Sequence, residues 1–186
     1  MRFSLKGMEK EIIVLIGGPS SGKTTLINAL TQKGYICYPE ISREVIQKAQ
    51  QDGIEQLFLE NPLLFSELLL QGRIKQYHQA KSEPNEIVFI DRGLPDVIAY
   101  MNFIGDQYPD AFHQACLSHT YSKVFVLPPW EEIYTSDNER YESFEEAVQI
   151  QLHLEETYKQ YGYELIHVPK DTVEKRVAFL MDFIQK

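Results

Sequence analysis

Short apolar runs alternate with longer amphipathic stretches along this 186-residue chain. "EIIVLI" (11–16) is rich in β-branched residues and has no polar interruption after Glu11, the pattern of a strand buried on both faces. After a loop at 17–22, "KTTLINALTQKG" (23–34) predicts a helix ending at Gly34. "YICYPE" (35–40) predicts a second strand, and residues 41–51 a helix closed by Asp52-Gly53. Asn61-Pro62 places an N-cap before a proline at the first helical position, so a long helix is expected over 63–81, stopped by Pro84. "EIVFID" (86–91) is a third strand, and Pro95 opens a helix over 96–104. "SKVFVLPP" (122–129) is a fourth strand ended by two prolines. Residues 131–142 are polar without a period and predict a loop. Ser143 to Glu146 form an S-x-x-E capping box. The helix it opens runs through Tyr161, with Ala147, Ile150, Leu154 and Tyr158 as its apolar stripe. "YELIHVP" (163–169) is a fifth strand. A final helix, capped between Asp171 and Glu174, is expected to bury Val173, Val177, Leu180 and Ile184.

Strands alternating with helices predict an α/β fold in three layers, a parallel sheet covered on both faces and joined by right-handed crossovers. The expectation is a single domain built on five parallel strands. It occupies residues 11–186, after a loose lead-in at 1–10. Ligands of such sheets lie at the carboxyl ends of the strands. There the chain places the glycine-rich loop after strand one, Glu40 after strand two, and Asp91-Arg92 after strand three.

The formal charge of −9 and pI near 5.1 argue against a general nucleic-acid binder, which needs a basic surface to displace counterions. The two cysteines, Cys37 and Cys116, are far apart and lack metal-ligand spacing, so reduced thiols in a cytoplasmic protein are expected. No apolar run approaches the roughly 20 residues of a membrane span. The five histidines show no metal spacing.

The chemistry begins at "GGPSSGKTTL", which fits G-x-x-x-x-G-K-[ST] from Gly17 to Thr24. Gly17, Gly18, Pro19, Ser20, Ser21, Gly22, Lys23, Thr24 and Thr25 are the expected nucleotide-binding residues. The loop curls so that backbone N–H groups face the phosphates, Lys23 reaches the β- and γ-phosphates, and the Thr24 hydroxyl sits on Mg²⁺. ATP and Mg²⁺ are the expected ligands, with GTP not excluded. Asp91, a charge closing an apolar strand beside this loop, needs a partner, and Mg²⁺ is the obvious one.

A remodelling ATPase would carry a second carboxylate after Asp91, where this chain has Arg92. A Ras-type GTPase would carry D-x-x-G and N-K-x-D, and neither Asp91-Arg92-Gly93-Leu94 nor Val168-Pro169-Lys170-Asp171 fits. What remains is a kinase for a small acceptor. A kinase needs a lid against hydrolysis, and loop 131–142 is the candidate, with Arg140 stabilising charge on the transferring group.

An acid ending strand two and an acid–arginine pair ending strand three resemble nucleoside and nucleotide kinases. The resemblance implies that Glu40 takes the proton from the acceptor hydroxyl, that Arg43 and Arg92 bind acceptor or transferred phosphate, that Asp91 holds Mg²⁺ through water or assists as a base, and that Gln71 reads a base. More closely, "GGPSSGKTTL", "PEISREV", "VFIDRGLPDVIAY", "VFVLPPWEEIY", "DNERYESFEEA" and "YGYELIHVP" resemble small bacterial ATP-binding proteins described as AAA-domain ATPases. These are related to the kinase domain of bifunctional nicotinamide-riboside-kinase regulators. The similarity covers about residues 10–184 and, with the phosphate loop, implies a three-layer P-loop NTPase domain whose five parallel strands run in the kinase-like order 2-3-1-4-5.

Plainer roles compete for several residues. Glu40 suits a helix N-terminus by the dipole alone, Arg92 could only neutralise Asp91, Arg140 could be solvated, and Trp130 reads as a buried plug beneath the lid. The expected activity is transfer of the ATP γ-phosphoryl group to a nucleoside- or nucleotide-like small molecule. The alternative is a nucleotide-dependent switch whose loop 131–142 orders when a triphosphate binds.

Overall fold

The computed structural model of the chain describes residues 10–134 and 142–184. In chain order the elements are β1 Glu11–Ile16, α1 Lys23–Gln32, β2 Ile36–Tyr38, α2 Ser42–Gln51, α3 Leu57–Glu60, α4 Pro62–Ser82, β3 Ile87–Asp91, α5 Pro95–Ile104, α6 Ala111–Ser118, β4 Lys123–Val126, α7 Phe144–Gln160, β5 Leu165–His167 and α8 Val173–Ile184. The five strands form one parallel sheet, as the alternation of elements predicts, and its order β2-β3-β1-β4-β5 is the kinase-like one expected from the resemblance.

Successive side chains of a strand point to opposite faces, so each central strand feeds two cores. Ile12, Val14, Ile16, Val88, Ile90, Val124 and Val126 pack beneath residues of α2 to α7. Ile13, Leu15, Phe89 and Phe125 pack beneath α1 and α8. This double burial is why β1, β3 and β4 read as continuous apolar runs. Leu15 pairs with Asp91 in register, and Arg92 N–H donates to the Leu15 carbonyl at 3.0 Å, which brings the ends of β1 and β3 side by side.

The caps follow the sequence. Asn61 Oδ1 accepts from Leu64 N–H at 3.1 Å, and Ser143 and Glu146 complete a capping box at the start of α7. Ala147, Leu154 and Tyr158 are buried as expected. The edge strands β2 and β5 are three residues each, shorter than the runs at 35–40 and 163–169. The short helices α3 and α6 were not expected. At α8, Val177, Leu180 and Ile184 are buried and Val173 partly so, but Arg176 is buried among them at 4% exposure. Among the described residues, no helix is long and apolar enough to cross a membrane.

Candidate active site

The phosphate loop leaves the sheet at the end of β1 and re-enters the fold as α1. Gly22 takes φ +87°, a left-handed conformation disfavoured for side chains, and serves as the N-cap of α1. Lys23 turns back over the loop, donating from Nζ to the Gly17 carbonyl at 2.8 Å, the Gly18 carbonyl at 2.9 Å and Ser21 Oγ at 3.2 Å. It is buried, and the ammonium is pushed down to about 7, first by that burial and then by the nearby Arg92, against the opposing pull of Asp91 and Glu40. Thr24 and Thr25 are exposed on the first turn of α1.

Beside this loop, residues following β2 and β3 meet two helices in a charged cluster. Glu40 stands two residues past β2. Its Oε1 accepts from Ile41 N–H at 3.0 Å and Ser42 N–H at 3.1 Å, so it caps α2, and the same oxygen meets Arg73 Nη2 of α4 at 3.2 Å. Its Oε2 is paired with Arg92 Nε. Burial opposes ionisation of Glu40, but Arg73 and Arg92 outweigh it and hold the carboxyl below its ordinary value. Arg92 has φ +69°, an unusual conformation for a residue with a side chain, and also reaches Asp96 Oδ1 at 3.2 Å. Burial weakens the charge on Arg92, and Glu40, Asp96 and Asp91 together more than restore it.

Asp96 is the buried anchor of the cluster. Its Oδ2 accepts from Gly93 N–H at 2.9 Å and from the Tyr158 hydroxyl of α7 at 2.6 Å. Arg73 Nη1 donates to the Gly93 carbonyl at 2.9 Å. A Cβ on Gly93 would lie 2.5 Å from the Tyr158 hydroxyl and 2.7 Å from the Tyr121 ring, so this backbone approach needs glycine. Gln76, one turn beyond Arg73, donates to the Pro39 carbonyl at 2.8 Å, and its buried Oε1 has no donor among the described residues.

Asp91, the last residue of β3, is 3% exposed, and its Oδ1 likewise has no donor among the described residues. Burial raises its carboxyl, while Lys23 pulls it down and Glu40 pushes it up. The orphaned buried oxygen of Asp91 is a hard donor of the kind Mg²⁺ takes alongside nucleotide phosphates, and the exposed Thr24 hydroxyl on the first turn of α1 is a donor of the same chemistry. Among the described residues no group of three or more histidines, cysteines or acids could hold a metal, so protein ligands alone make no cage.

Two contacts brace the phosphate loop from outside. Gly18 N–H donates to Gln151 Oε1 of α7 at 3.0 Å. Arg176 Nη2 of α8 donates to the Ser21 carbonyl at 3.3 Å, and its guanidinium lies 5.7 Å above the Trp130 ring. Trp130 is partly buried, with the Arg176 guanidinium on its face. Beyond it, Glu131–Ile133 form one 3-10 turn, and Ile133 reaches the neighbourhood of Gly22. The Tyr134 hydroxyl donates to the Glu142 carbonyl. Arg140, within the expected lid 131–142, lies outside the described residues, as do residues 1–9 of the expected lead-in.

The fold thus brings Lys23, Glu40, Asp91 and Arg92 together. Arg43 is exposed on the first turn of α2 and is not one of the residues paired with Glu40. Gln71 is exposed on α4, on a different face from Arg73 and Gln76, so the glutamine beside Glu40 is Gln76. Sequence reasoning missed Arg73, Gln76, Asp96, Tyr158 and Arg176. The available signal was phase, because Arg73 and Gln76 fall on the same stripe as Phe65, Leu69, Tyr77 and Ala80.

Among solved structures, the fold is shared with deoxyadenosine kinase from M. mycoides with bound dATP, at TM-score 0.69 and 19% identity over 95% of this chain and 100% of that one. It is shared with NadR protein in complex with NR, at TM-score 0.74 and 19% identity over 95% of this chain and 51% of that one, so the chain spans about half of NadR. It is shared with thymidylate kinase from Candida albicans, at TM-score 0.65 and 17% identity over 95% and 92%. These TM-scores show a P-loop kinase-like fold. No curated protein matches the sequence. The sequence profile of the family described as AAA domain matches residues 12–176, most of the chain, and the protein belongs to that family.

Proposed function

We propose that the protein is a kinase that moves the γ-phosphoryl group of ATP·Mg²⁺ to a hydroxyl of an uncharged, nucleoside-like acceptor. The observation that carries this reading is the Glu40 carboxylate, held by Arg73 and Arg92 beside the Lys23 phosphate loop. A deoxyadenosine kinase of similar fold supports a nucleoside acceptor, and a thymidylate kinase of similar fold supports the phosphoryl-transfer chemistry alone.

The charge balance favours a neutral acceptor. Lys23, Arg73 and Arg92 stand against Glu40, Asp91 and Asp96. Both arginines that reach Glu40 are matched by carboxylates, so a phosphate-bearing acceptor would compete with Glu40 and Asp96 for them, and a hydroxyl would not. The open Oε1 of buried Gln76 is an acceptor for a donor on the bound ligand.

In this mechanism the loop N–H groups and Lys23 hold the phosphates. Thr24 and Asp91 would hold Mg²⁺, which when bound spreads and neutralises charge on the β- and γ-phosphates. Glu40 orients the acceptor hydroxyl. The transition state of phosphoryl transfer is loose, so the hydroxyl proton leaves late and a carboxylate of low basicity suffices to accept it. Arg92 is assigned to holding Glu40 in place, Arg140 to the charge of the transferring group, and the segment 131–142 to exclusion of water.

A panel of nucleosides and their monophosphates, each added with ATP and Mg²⁺, tests this by acceptor-stimulated ADP release. Stimulation by a nucleoside and not by its monophosphate is expected. Stimulation by monophosphates alone would contradict the neutral-acceptor assignment, and ADP release indifferent to every acceptor would favour the switch reading.

A further inference from the structure

Two histidines face one another on the surface formed by α4 and the end of α6, within neither the phosphate loop nor the acid–arginine cluster. His78 Nε2 and His119 Nε2 are 3.3 Å apart. His119 Nδ1 lies 2.7 Å from the Ala115 carbonyl, which can only accept, so Nδ1 carries the proton and Nε2 of the neutral ring presents a lone pair towards His78. A backbone carbonyl on the far nitrogen is how proteins fix the tautomer and orientation of a metal-ligating histidine.

The spacing has a second consequence. Two nitrogens each about 2.0–2.1 Å from a tetrahedral ion lie about 3.3–3.4 Å apart. The ring centroids are 5.1 Å apart, closer than two rings joined by collinear nitrogen axes would be, so the axes are bent. The scaffold holds both rings. His119 packs edge-on against Tyr77 at 5.0 Å and His78 against the same ring at 6.0 Å. The Tyr77 hydroxyl is tied to the Thr120 carbonyl at 3.0 Å. Little ordering is left for a ligand to impose, and exposed His78 leaves room for water to complete a coordination sphere.

We propose that His78 and His119 form a two-histidine site for a borderline divalent transition metal of the Zn²⁺ class, with water as the remaining ligands. Imidazole nitrogens suit this class and not Mg²⁺ or Ca²⁺, which take oxygen ligands. Occupancy clamps the C-terminal half of α4 to the segment leading into β4. The site is separate from the nucleotide chemistry and does not depend on it.

The test is a calorimetric titration of nucleotide-free, full-length protein with Zn²⁺ alone at neutral pH, repeated with Mg²⁺, and with Co²⁺ followed by its visible spectrum. His78→Gln and His119→Gln keep a polar side chain at each position but remove the imidazole, and circular dichroism verifies their fold. Loss of an outer-sphere partner already costs about 10–100-fold in metal affinity, so loss of either ligand is expected to weaken Zn²⁺ binding at least about tenfold. One Zn²⁺ per chain in the wild type, weakened by both substitutions and not reproduced by Mg²⁺, supports the site. No Zn²⁺ binding by the wild type overturns it, as does binding that survives either substitution.

Discussion

Arg73, from the middle of α4, places Nη2 3.2 Å from Glu40 Oε1 just past β2, and thereby couples a helix that covers the sheet to the residue assigned to the acceptor hydroxyl. Arg73 is 4% exposed and Glu40 20%. Removing one partner of such a pair leaves the other charge buried and under-compensated. Arg73→Met is therefore expected to lower unfolding free energy by about 2–4 kcal/mol, read from urea denaturation at neutral pH. An unchanged midpoint would contradict the pairing.

The same pair fixes a pH dependence. Burial opposes the Glu40 charge, but Arg73 and Arg92 hold its folded carboxyl below the ordinary 4.5. The native state therefore binds fewer protons than the unfolded state in this range. The stability it contributes is present above about pH 4.5 and is lost as pH falls through the folded value. In Arg73→Met the acid-unfolding midpoint should move to higher pH, followed by circular dichroism. A midpoint that stays or falls would be the wrong sign.

Lys23, with its ammonium at about 7 in the nucleotide-free protein, predicts proton uptake on nucleotide binding. Near pH 8 the amine is largely neutral, and phosphate beside it restores the charge. Affinity should fall as pH rises above 7, and binding at pH 8 should take up a proton. Calorimetry in two buffers of different ionisation enthalpy measures this. The uptake should vanish in Lys23→Met, and uptake that persists there would assign it elsewhere.

Arg176 has no carboxylate partner among the described residues, and burial alone lowers its basicity. A bound phosphate chain supplies the missing negative charge on the other side of the loop. Arg176→Met should leave the nucleotide-free protein as stable or more so, because an unpaired buried charge is gone. It should weaken binding of a non-hydrolysable ATP analogue by about tenfold, an electrostatic loss of about 1.4 kcal/mol. Loss of stability with unchanged affinity would make Arg176 a packing residue only.

Tyr158 and Asp96 link α7 to the loop after β3 through a 2.6 Å hydrogen bond. Tyr158→Phe leaves the buried carboxylate one donor short and should cost about 1–3 kcal/mol in thermal or urea unfolding. A neutral substitution would show that Gly93 N–H and Arg92 satisfy Asp96 without it.

The sheet was legible because its central strands are buried on both faces. β1, β3 and β4 write that burial as uninterrupted apolar runs, and the phosphate loop anchors the first of them. The edge strands β2 and β5 were read too long because Tyr35 and Tyr163 have strand propensity without strand pairing. α6 buries only Phe112 and Cys116, too few for a period. Lys23, Glu40, Asp91 and Arg92 were legible because they follow strand ends in sequence. Arg73, Gln76 and Arg176 were not, because they are polar residues in the buried stripe of a helix and are satisfied only by partners distant in sequence. A charged residue in phase with an apolar stripe is therefore the signal to read.

The central claim is that Glu40 serves the acceptor and not the nucleotide. The direct measurement is transfer of label from γ-labelled ATP to the stimulating nucleoside by the wild type and by Glu40→Gln, with ATP-analogue affinity measured in parallel. Labelled nucleoside monophosphate is expected from the wild type, with a loss of about a hundredfold or more in transfer rate for Glu40→Gln and little change in nucleotide affinity. Label appearing only in free phosphate, or transfer by Glu40→Gln at the wild-type rate, would contradict that claim.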